Sequence, residues 1–192
     1  MGSEPLTLGF DTSAAHCAAA LLSGERVLAC RAEEMGRGQA ERLMPLLEEV
    51  LAGGGARWCD LDRIGVGIGP GNFTGIRISV AAARGLALSL GIAAFGINTF
   101  EVIRAGMSSG TPAVPAPRGM VHVLGPGAVP VLLPAAEVTD PVWPPFPADL
   151  AQAIAILAQI APADTPPPAP LYVRPADAAP ARDAPPLILD DA

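Results

Sequence analysis

The chain has no lysine: each of its basic residues is an arginine, and acidic residues outnumber them, for a formal net charge of -7. An acidic surface without lysine is poorly suited to hold a nucleic acid unaided, because that affinity rests on neutralising phosphates. Any nucleic-acid role is therefore expected to run through a partner. Aromatic residues are scarce, at 4% of the chain, while 51% is hydrophobic. A sizeable core is available, but Ala, Leu, Val and Ile must fill it. Cys17, Cys30 and Cys59 are odd in number and contain no C-x-x-C pair. They are read as reduced, buried thiols of a cytosolic protein, and not as a disulfide frame or zinc site. His16 and His122 are the only histidines, too few for a usual His-based catalytic metal set, so no metal site is expected. Asp11 interrupts the first apolar run and no basic segment precedes it, which argues against a signal peptide. The longest apolar region, Val80 to Ile97, carries Arg84 and several glycines, so no membrane span is expected. Met1-Gly2 lacks Ser or Thr at the sixth position, against myristoylation.

What the chain does have is one glycine-rich stretch, from Gly65 to Ile78. Ile64, Val66 and Ile68 alternate with glycines, so one face of a strand here is bare backbone. Glycine inside a strand weakens it, which implies that something packs closely on that face. Gly69-Pro70-Gly71 reads as a tight turn, and Asn72 or Thr74 is placed to cap a following helix. Backbone N–H groups at such a helix start can attract an anion. The same residues also serve as a strand-to-helix corner that binds nothing.

Around this stretch the pattern gives strands over Leu6–Phe10, Cys17–Leu22 and Arg26–Ala32, joined by short turns as an antiparallel meander. A helix is predicted over Gln39–Ala52. Leu43, Leu46, Leu47 and Val50 form its apolar stripe, and Glu41, Arg42, Glu48 and Glu49 are read as solvated. Pro45 should bend it or mark its true start. A strand follows over Ile64–Ile68, then a helix over Phe73–Leu90 and a strand over Ala93–Ile97. A third helix is predicted from Phe100, with Thr99 as cap. Only Pro5, Pro45 and Pro70 precede Thr111, and every other proline follows it. At that density proline breaks helices and central strands alike. Short strands are placed at Val121–Leu124 and Val131–Leu133, and a helix at Asp149–Ile160. From Pro162 an extended, poorly ordered tail is predicted, anchored near Leu171, Tyr172 and Val173.

Asp11-Thr12-Ser13 ends the first strand, where a carboxylate and two hydroxyls would suit a hard cation. The following Ala14-Ala15 supplies neither the glycine nor the lysine of a phosphate clamp, and an Asp and a Thr can equally satisfy a turn. No H-E-x-x-H motif or Ser/His/Asp constellation is visible. Glu33-Glu34 and Asp190-Asp191 read as solvated surface acids.

Gly69-Pro70-Gly71-Asn72-Phe73-Thr74-Gly75-Ile76-Arg77 resembles the GPGSFTGLR signature of the TsaB (YeaZ) family. Leu8-Gly9-Phe10-Asp11-Thr12-Ser13 is similar to the family's opening strand, and Ala40-Glu41-Arg42-Leu43-Met44-Pro45 to its first-helix motif. Gly96-Ile97-Asn98-Thr99-Phe100-Glu101 resembles its GVSTLE segment, and Tyr172-Val173-Arg174-Pro175 a C-terminal piece. The likeness is good over roughly the first hundred residues and thin afterwards. The element order alone fits several α+β arrangements. The resemblance selects a mixed-sheet α/β fold of the ribonuclease-H-like, actin-like superfamily. It implies an N-terminal lobe over 1–105 and a shortened, proline-rich second lobe with an extended tail over 106–192. The family's acidic-arginine segment aligns with Pro115-Ala116-Pro117-Arg118, where the acid is missing.

In function, the resemblance implies a cytoplasmic, non-catalytic scaffold subunit. Its complex transfers a threonylcarbamoyl group to N6 of adenosine 37 in tRNAs reading ANN codons. The chain would bind the catalytic TsaD paralogue, meet the TsaE ATPase through that pair, and form homodimers. ATP and Mg would enter only through partner subunits, leaving no cofactor of its own, and tRNA would be contacted indirectly. The alternatives are an ATP-binding transferase or kinase-like enzyme of the same superfamily, and a stand-alone homodimeric binding protein. In the enzyme reading, Asp11, Thr12, Ser13, Gly69, Gly71 and Asn72 would contact a phosphate or nucleotide. The family's first two helices make its interfaces. On the second helix, Ile76, Val80, Ala83 and Ala87 should face the sheet. That leaves Arg77, Ile78, Ala81, Ala82, Arg84, Gly85, Leu88 and Ser89 for a partner, joined by Leu43, Met44 and Leu47 of the first. An earlier reading of the wider family as a protease finds no matching chemistry in these residues.

Overall fold

The computed structural model describes residues 4–125 and 129–173. Two tight turns fold the N-terminus into an antiparallel meander of β1 (Leu6–Asp11), β2 (His16–Ser23) and β3 (Arg26–Glu34). Helix α1 (Gln39–Gly53) follows and runs through Pro45 without ending there. A single 3-10 turn at Trp58–Asp60 leads into β4 (Arg63–Gly67), then α2 (Phe73–Leu90), β5 (Ala93–Ile97) and α3 (Thr99–Gly106). Strands β4 and β5 add in parallel, giving a mixed sheet of order β3-β2-β1-β4-β5. This is the mixed α/β arrangement expected of the fold class. Asn98, and not Thr99, caps α3: its side chain accepts from the Glu101 N–H while Glu101 returns a bond to the Asn98 N–H. This reciprocal pair outcompetes a lone threonine cap.

The alternation of β1 and β4 sends Leu8, Phe10, Ile64 and Val66 to one face, where they meet Leu43, Leu46, Leu47 and Val50 of α1 and Ala83 of α2. The other face is paved by Gly9 and Gly65, which are register partners, with Ala18, Ala20 and Leu22 beside them. The element that packs there comes from far along the chain. Helix α4 (Pro147–Ile160) lays Ala151, Ile154, Ala155 and Ala158 on this floor. A Cβ on Gly9 would stand 2.5 Å from the Ala151 carbonyl oxygen, and one on Gly65 would stand 2.7 Å from that of Ile154. Glycine below and alanine above let two backbones approach closely. Arg63 fixes the end of α4 by donating through Nη1 to the carbonyls of Ala158, Gln159 and Ala161, a cationic cap on the negative helix end.

The proline-rich half carries more strand than its composition predicts. Strands β6 (Thr111–Ala116), β7 (Met120–Leu124), β8 (Pro130–Pro134) and β9 (Pro141–Val142) form a second sheet of order β8-β7-β6-β9. Strand β6 tolerates Pro112 and Pro115 because β9 pairs only with Thr111 and Pro112, and β7 only with Ala113 to Ala116. Each proline thus has a ladder on one side alone. Pro115-Ala116-Pro117-Arg118 forms the end of β6 and a tight turn in which Arg118 and Gly119 take positive φ. Helix α3 and Leu171 cover one face of this sheet through Phe100, Ile103 and Val114. Helix α4 thus packs on the first sheet, although it follows the second in sequence.

Candidate functional site

The glycine stretch builds a corner between β4 and α2, and that corner is tied to the β1–β2 turn. Asn72 caps α2, its Oδ1 accepting from the N–H groups of Thr74 at 3.0 Å and Gly75 at 2.9 Å. The Asn72 N–H donates in turn to the Ser13 carbonyl at 2.6 Å. Thr12 Oγ1 donates to the Gly75 carbonyl at 2.7 Å. Glycine is required at two of these positions: a Cβ on Gly71 would meet the Ser13 carbonyl oxygen, and one on Gly75 that of Thr12. The Gly69 carbonyl accepts from the N–H of Thr99 at 2.9 Å, which joins the same corner to α3.

Asp11 is buried beneath this junction. Its Oδ2 accepts from the Ser13 N–H and Oγ, both at 2.9 Å, and lies 2.6 Å from His16 Nε2. Oδ1 is pressed against Gly67, leaving no room for a Cβ there. The fold thus assembles an Asp, a Ser and a His that lie too close in sequence to look like a constellation. Their order is wrong for a nucleophilic triad. Both Ser13 and His16 bond to the carboxylate, whereas activation of a serine requires histidine between the two. Nor does this carboxylate fit a phosphate-bound cation: Oδ2 already has three partners and Oδ1 faces backbone. The hydroxyl of Thr12 and the cap oxygen of Asn72 are likewise occupied within the chain. Beside the corner lies a cleft of about 500 Å³ with Ser13, His16, Pro70, Gly71 and Asn72 on one wall. Val114, Pro115, Trp143 and Pro145 line the other wall.

The sequence-derived interface divides in two. Leu43 and Leu47 are 1% and 0% exposed and belong to the core under α1, so neither presents a surface. Met44 is 38% exposed. On α2 the inner face is Ile76, Ser79, Val80 and Ala83, with Ala87 only half-buried. Ser79 is buried and donates to the Gly67 carbonyl at 3.1 Å. Arg77, Ala81, Arg84, Gly85, Leu88 and Ser89 are exposed, and Ile78 and Ala82 half-buried. Leu88 is 87% exposed, and no atom lies within 4 Å of where a Gly85 Cβ would stand. By length and composition alone α2 could cross a membrane. Its inner face rests on the sheet and its start is stitched to the β1–β2 turn, as in a core helix with one side left open.

Charges read as solvated are in part paired. Arg42 of α1 spans from Glu33 of β3 to Glu49, two turns along its own helix, with bonds of 2.6 to 2.9 Å. The guanidinium holds both carboxyls below the usual glutamate range. The thiols also differ from one another. Cys17 is buried, Cys30 half-buried and Cys59 exposed, the last because it lies on the 3-10 turn before β4. Burial, aided by Glu33, pushes the Cys17 thiol up to about 11, so it stays protonated where thiolate chemistry is normally run. With a chromogenic disulfide at pH 8, Cys59 is expected to react first. Cys17 should lag by more than about a hundredfold until the protein unfolds. Native-state labelling of Cys17 at the Cys59 rate would contradict this burial.

Comparison with known proteins places this corner in context. The family model for TsaD, tRNA N6-adenosine threonylcarbamoyltransferase, matches residues 32–123. The tRNA threonylcarbamoyladenosine biosynthesis protein TsaB of Buchnera aphidicola subsp. Schizaphis graminum is 35% identical over 98 residues, 51% of this chain and 46% of that protein. TsaB of Escherichia coli strain K12 is 32% identical over 99 residues, 52% of this chain and 42% of its own length. The chain thus spans less than half the length of the curated relatives it matches. Among solved structures, YeaZ from Pseudomonas aeruginosa superposes with a TM-score of 0.64 at 26% identity, covering 80% of this chain and 90% of that one. In signature and in superposition, this chain is similar to the TsaB (YeaZ) proteins.

Proposed function

We propose that the chain is an accessory, non-catalytic subunit in threonylcarbamoyladenosine modification of tRNA, acting in the cytoplasm by binding a TsaD-type paralogue. The observation that carries this reading is the outer face of α2, apolar but for Arg77, Arg84 and Ser89 and uncovered in the single chain. A helix that is apolar nearly all round is normally buried all round. Residues of small volume at Ala81 and Gly85 leave a shallow channel, continued by a groove of about 630 Å³ between the end of α2, β5 and residues 163–168. The channel suits close approach by a second helix. Its lining matches the helix that the TsaB resemblance assigns to partner binding. The same face serves a homodimer when the paralogue is absent. The ATP and Mg of the reaction, and the TsaE ATPase, are assigned to the assembled complex, because the carboxylate, hydroxyl and cap groups of the corner are already engaged within the chain. Contact with tRNA is assigned to partners, in keeping with the acidic, lysine-free composition.

The test is Gly85→Leu. The position has open space, so the fold should survive, while the channel is filled. Overpacking at a contact disfavours it by roughly 1–3 kcal/mol, about 5- to 150-fold in affinity. Sedimentation with the paralogue of the same organism should show that loss, with an unchanged circular dichroism spectrum. Association unchanged by a folded Gly85→Leu variant would move the interface elsewhere. Turnover of ATP by the isolated chain, abolished by Asp11→Ala, would replace this reading with an enzymatic one centred on the cleft.

A further inference from the structure

Beyond α4 the described chain continues without regular structure to Val173, and its last residues make paired contacts. The Leu171 N–H donates to the Ile68 carbonyl at 2.9 Å, just ahead of the glycine turn. Its side chain enters the cluster of Phe100, Ile103 and Val114 under the second sheet. The next residue goes the other way, as extended backbone dictates. Tyr172 reaches the first turns of α2, where its hydroxyl accepts from Arg77 Nε at 2.8 Å. Its ring centroid is 4.9 Å from that of Phe73, and the Arg77 guanidinium carbon lies 3.8 Å from the Phe73 centroid. Phe73 and Tyr172 are 40% and 38% exposed.

We infer that Tyr172 is a positioning residue for Arg77: it holds the guanidinium in one place on the partner-binding face of α2 before any partner arrives. This rests on the reading of α2 as that face. A free arginine carries large rotamer entropy, and a partner that meets it unheld must order it on binding. Here Phe73 stacks one side of the group and Tyr172 accepts from its Nε, so the ordering is complete in the isolated chain. The remaining guanidinium N–H groups stay available to an acceptor across the interface. Leu171 sets where Tyr172 stands, which links the seating of the second sheet to the arrangement of the α2 surface.

Tyr172 is the only tyrosine of the chain, so 3-fluorotyrosine incorporation yields a single fluorine resonance. That resonance is expected to shift in Arg77→Ala without any partner, and again when the paralogue is added. Tyr172→Phe removes only the acceptor hydroxyl. It should weaken paralogue binding roughly fivefold, with little change in unfolding midpoint, and have no further effect once Arg77 is alanine. A resonance indifferent to Arg77→Ala overturns the inference whatever the binding data. A shifted resonance with Gly85→Leu disruptive but Tyr172→Phe harmless overturns the positioning role and leaves α2 as the interface. If neither Gly85→Leu nor Tyr172→Phe alters binding, the reading of α2 falls and this inference with it.

Discussion

Gly75→Ala is expected to destabilise the protein by about 3 kcal/mol or more, although alanine is the better helix former. In an open helix position the same exchange stabilises by about 0.5–1 kcal/mol. At Gly75 the new Cβ would collide with the backbone carbonyl of Thr12, and that carbonyl cannot swing away, because the Thr12 hydroxyl is bonded to the Gly75 carbonyl. Overpacking against backbone lies at the severe end of its usual range. The loss should disconnect the start of α2 from the β1–β2 turn, so Asp11, Ser13 and His16 would loosen with it. Gly85→Ala is the internal control, since open space surrounds that position on the same helix. Urea melts should show the midpoint falling for Gly75→Ala and rising for Gly85→Ala. Shifts of the same sign in both would mean that the corner yields easily and that its glycines are not there for close approach.

The second large effect is expected at the floor under α4. Gly9→Ala and Gly65→Ala should each lower stability by about 1–3 kcal/mol. A Cβ on Gly9 meets the Ala151 carbonyl oxygen at 2.5 Å and Ala155 Cβ at 2.8 Å. Trimming Ala155 to glycine therefore removes the Cβ clash but leaves those with the Ala151 carbonyl oxygen and the Ala155 nitrogen, and should not rescue Gly9→Ala. Because the two glycines are register partners beneath one helix, lifting α4 for one relieves the other. The double variant should lose less than the sum of the singles, a coupling that a double-mutant cycle reads directly. Strict additivity, or rescue by the trimmed alanine, would show that α4 does not bear on the two positions as a rigid unit.

The N-terminal elements were legible because each carried agreeing local signals. Helix α2 shows the apolar period, a cap at Asn72 and an αL glycine at Gly91, and its span Phe73–Leu90 is the one read from sequence. The glycine alternation around Val66 correctly announced a close neighbour but could not name it, since Ala151 and Ala155 carry no mark of their target. Strand β6 was hidden by Pro112 and Pro115, whose exclusion from sheets holds only where both sides must pair. Burial of Leu43 and Leu47 could have been found from the stripe they share with Leu46 and Val50, since one stripe cannot serve core and partner at once. The Asp11–Ser13–His16 cluster depends on how sharply the turn at Ser13 folds, which pattern does not report. The predicted disorder of the tail beyond Val173 lies outside the described residues. Before it, the chain turns at Pro162–Thr165 and then runs without regular structure to Val173, anchored at Leu171 and Tyr172.

The placement of α4 has a consequence for how the protein is made. The strands that form the glycine floor leave the ribosome early, and the helix that covers it is among the last described elements to appear. Until then Ala18, Ala20 and Leu22 face water on a sheet whose other side is already packed by α1 and α2. Contacts this distant in sequence close slowly and leave apolar surface exposed to aggregation meanwhile. The first hundred residues, which carry the glycine signature and the first sheet, are therefore not a unit that can finish folding alone. Their last layer arrives with the proline-rich half of the chain.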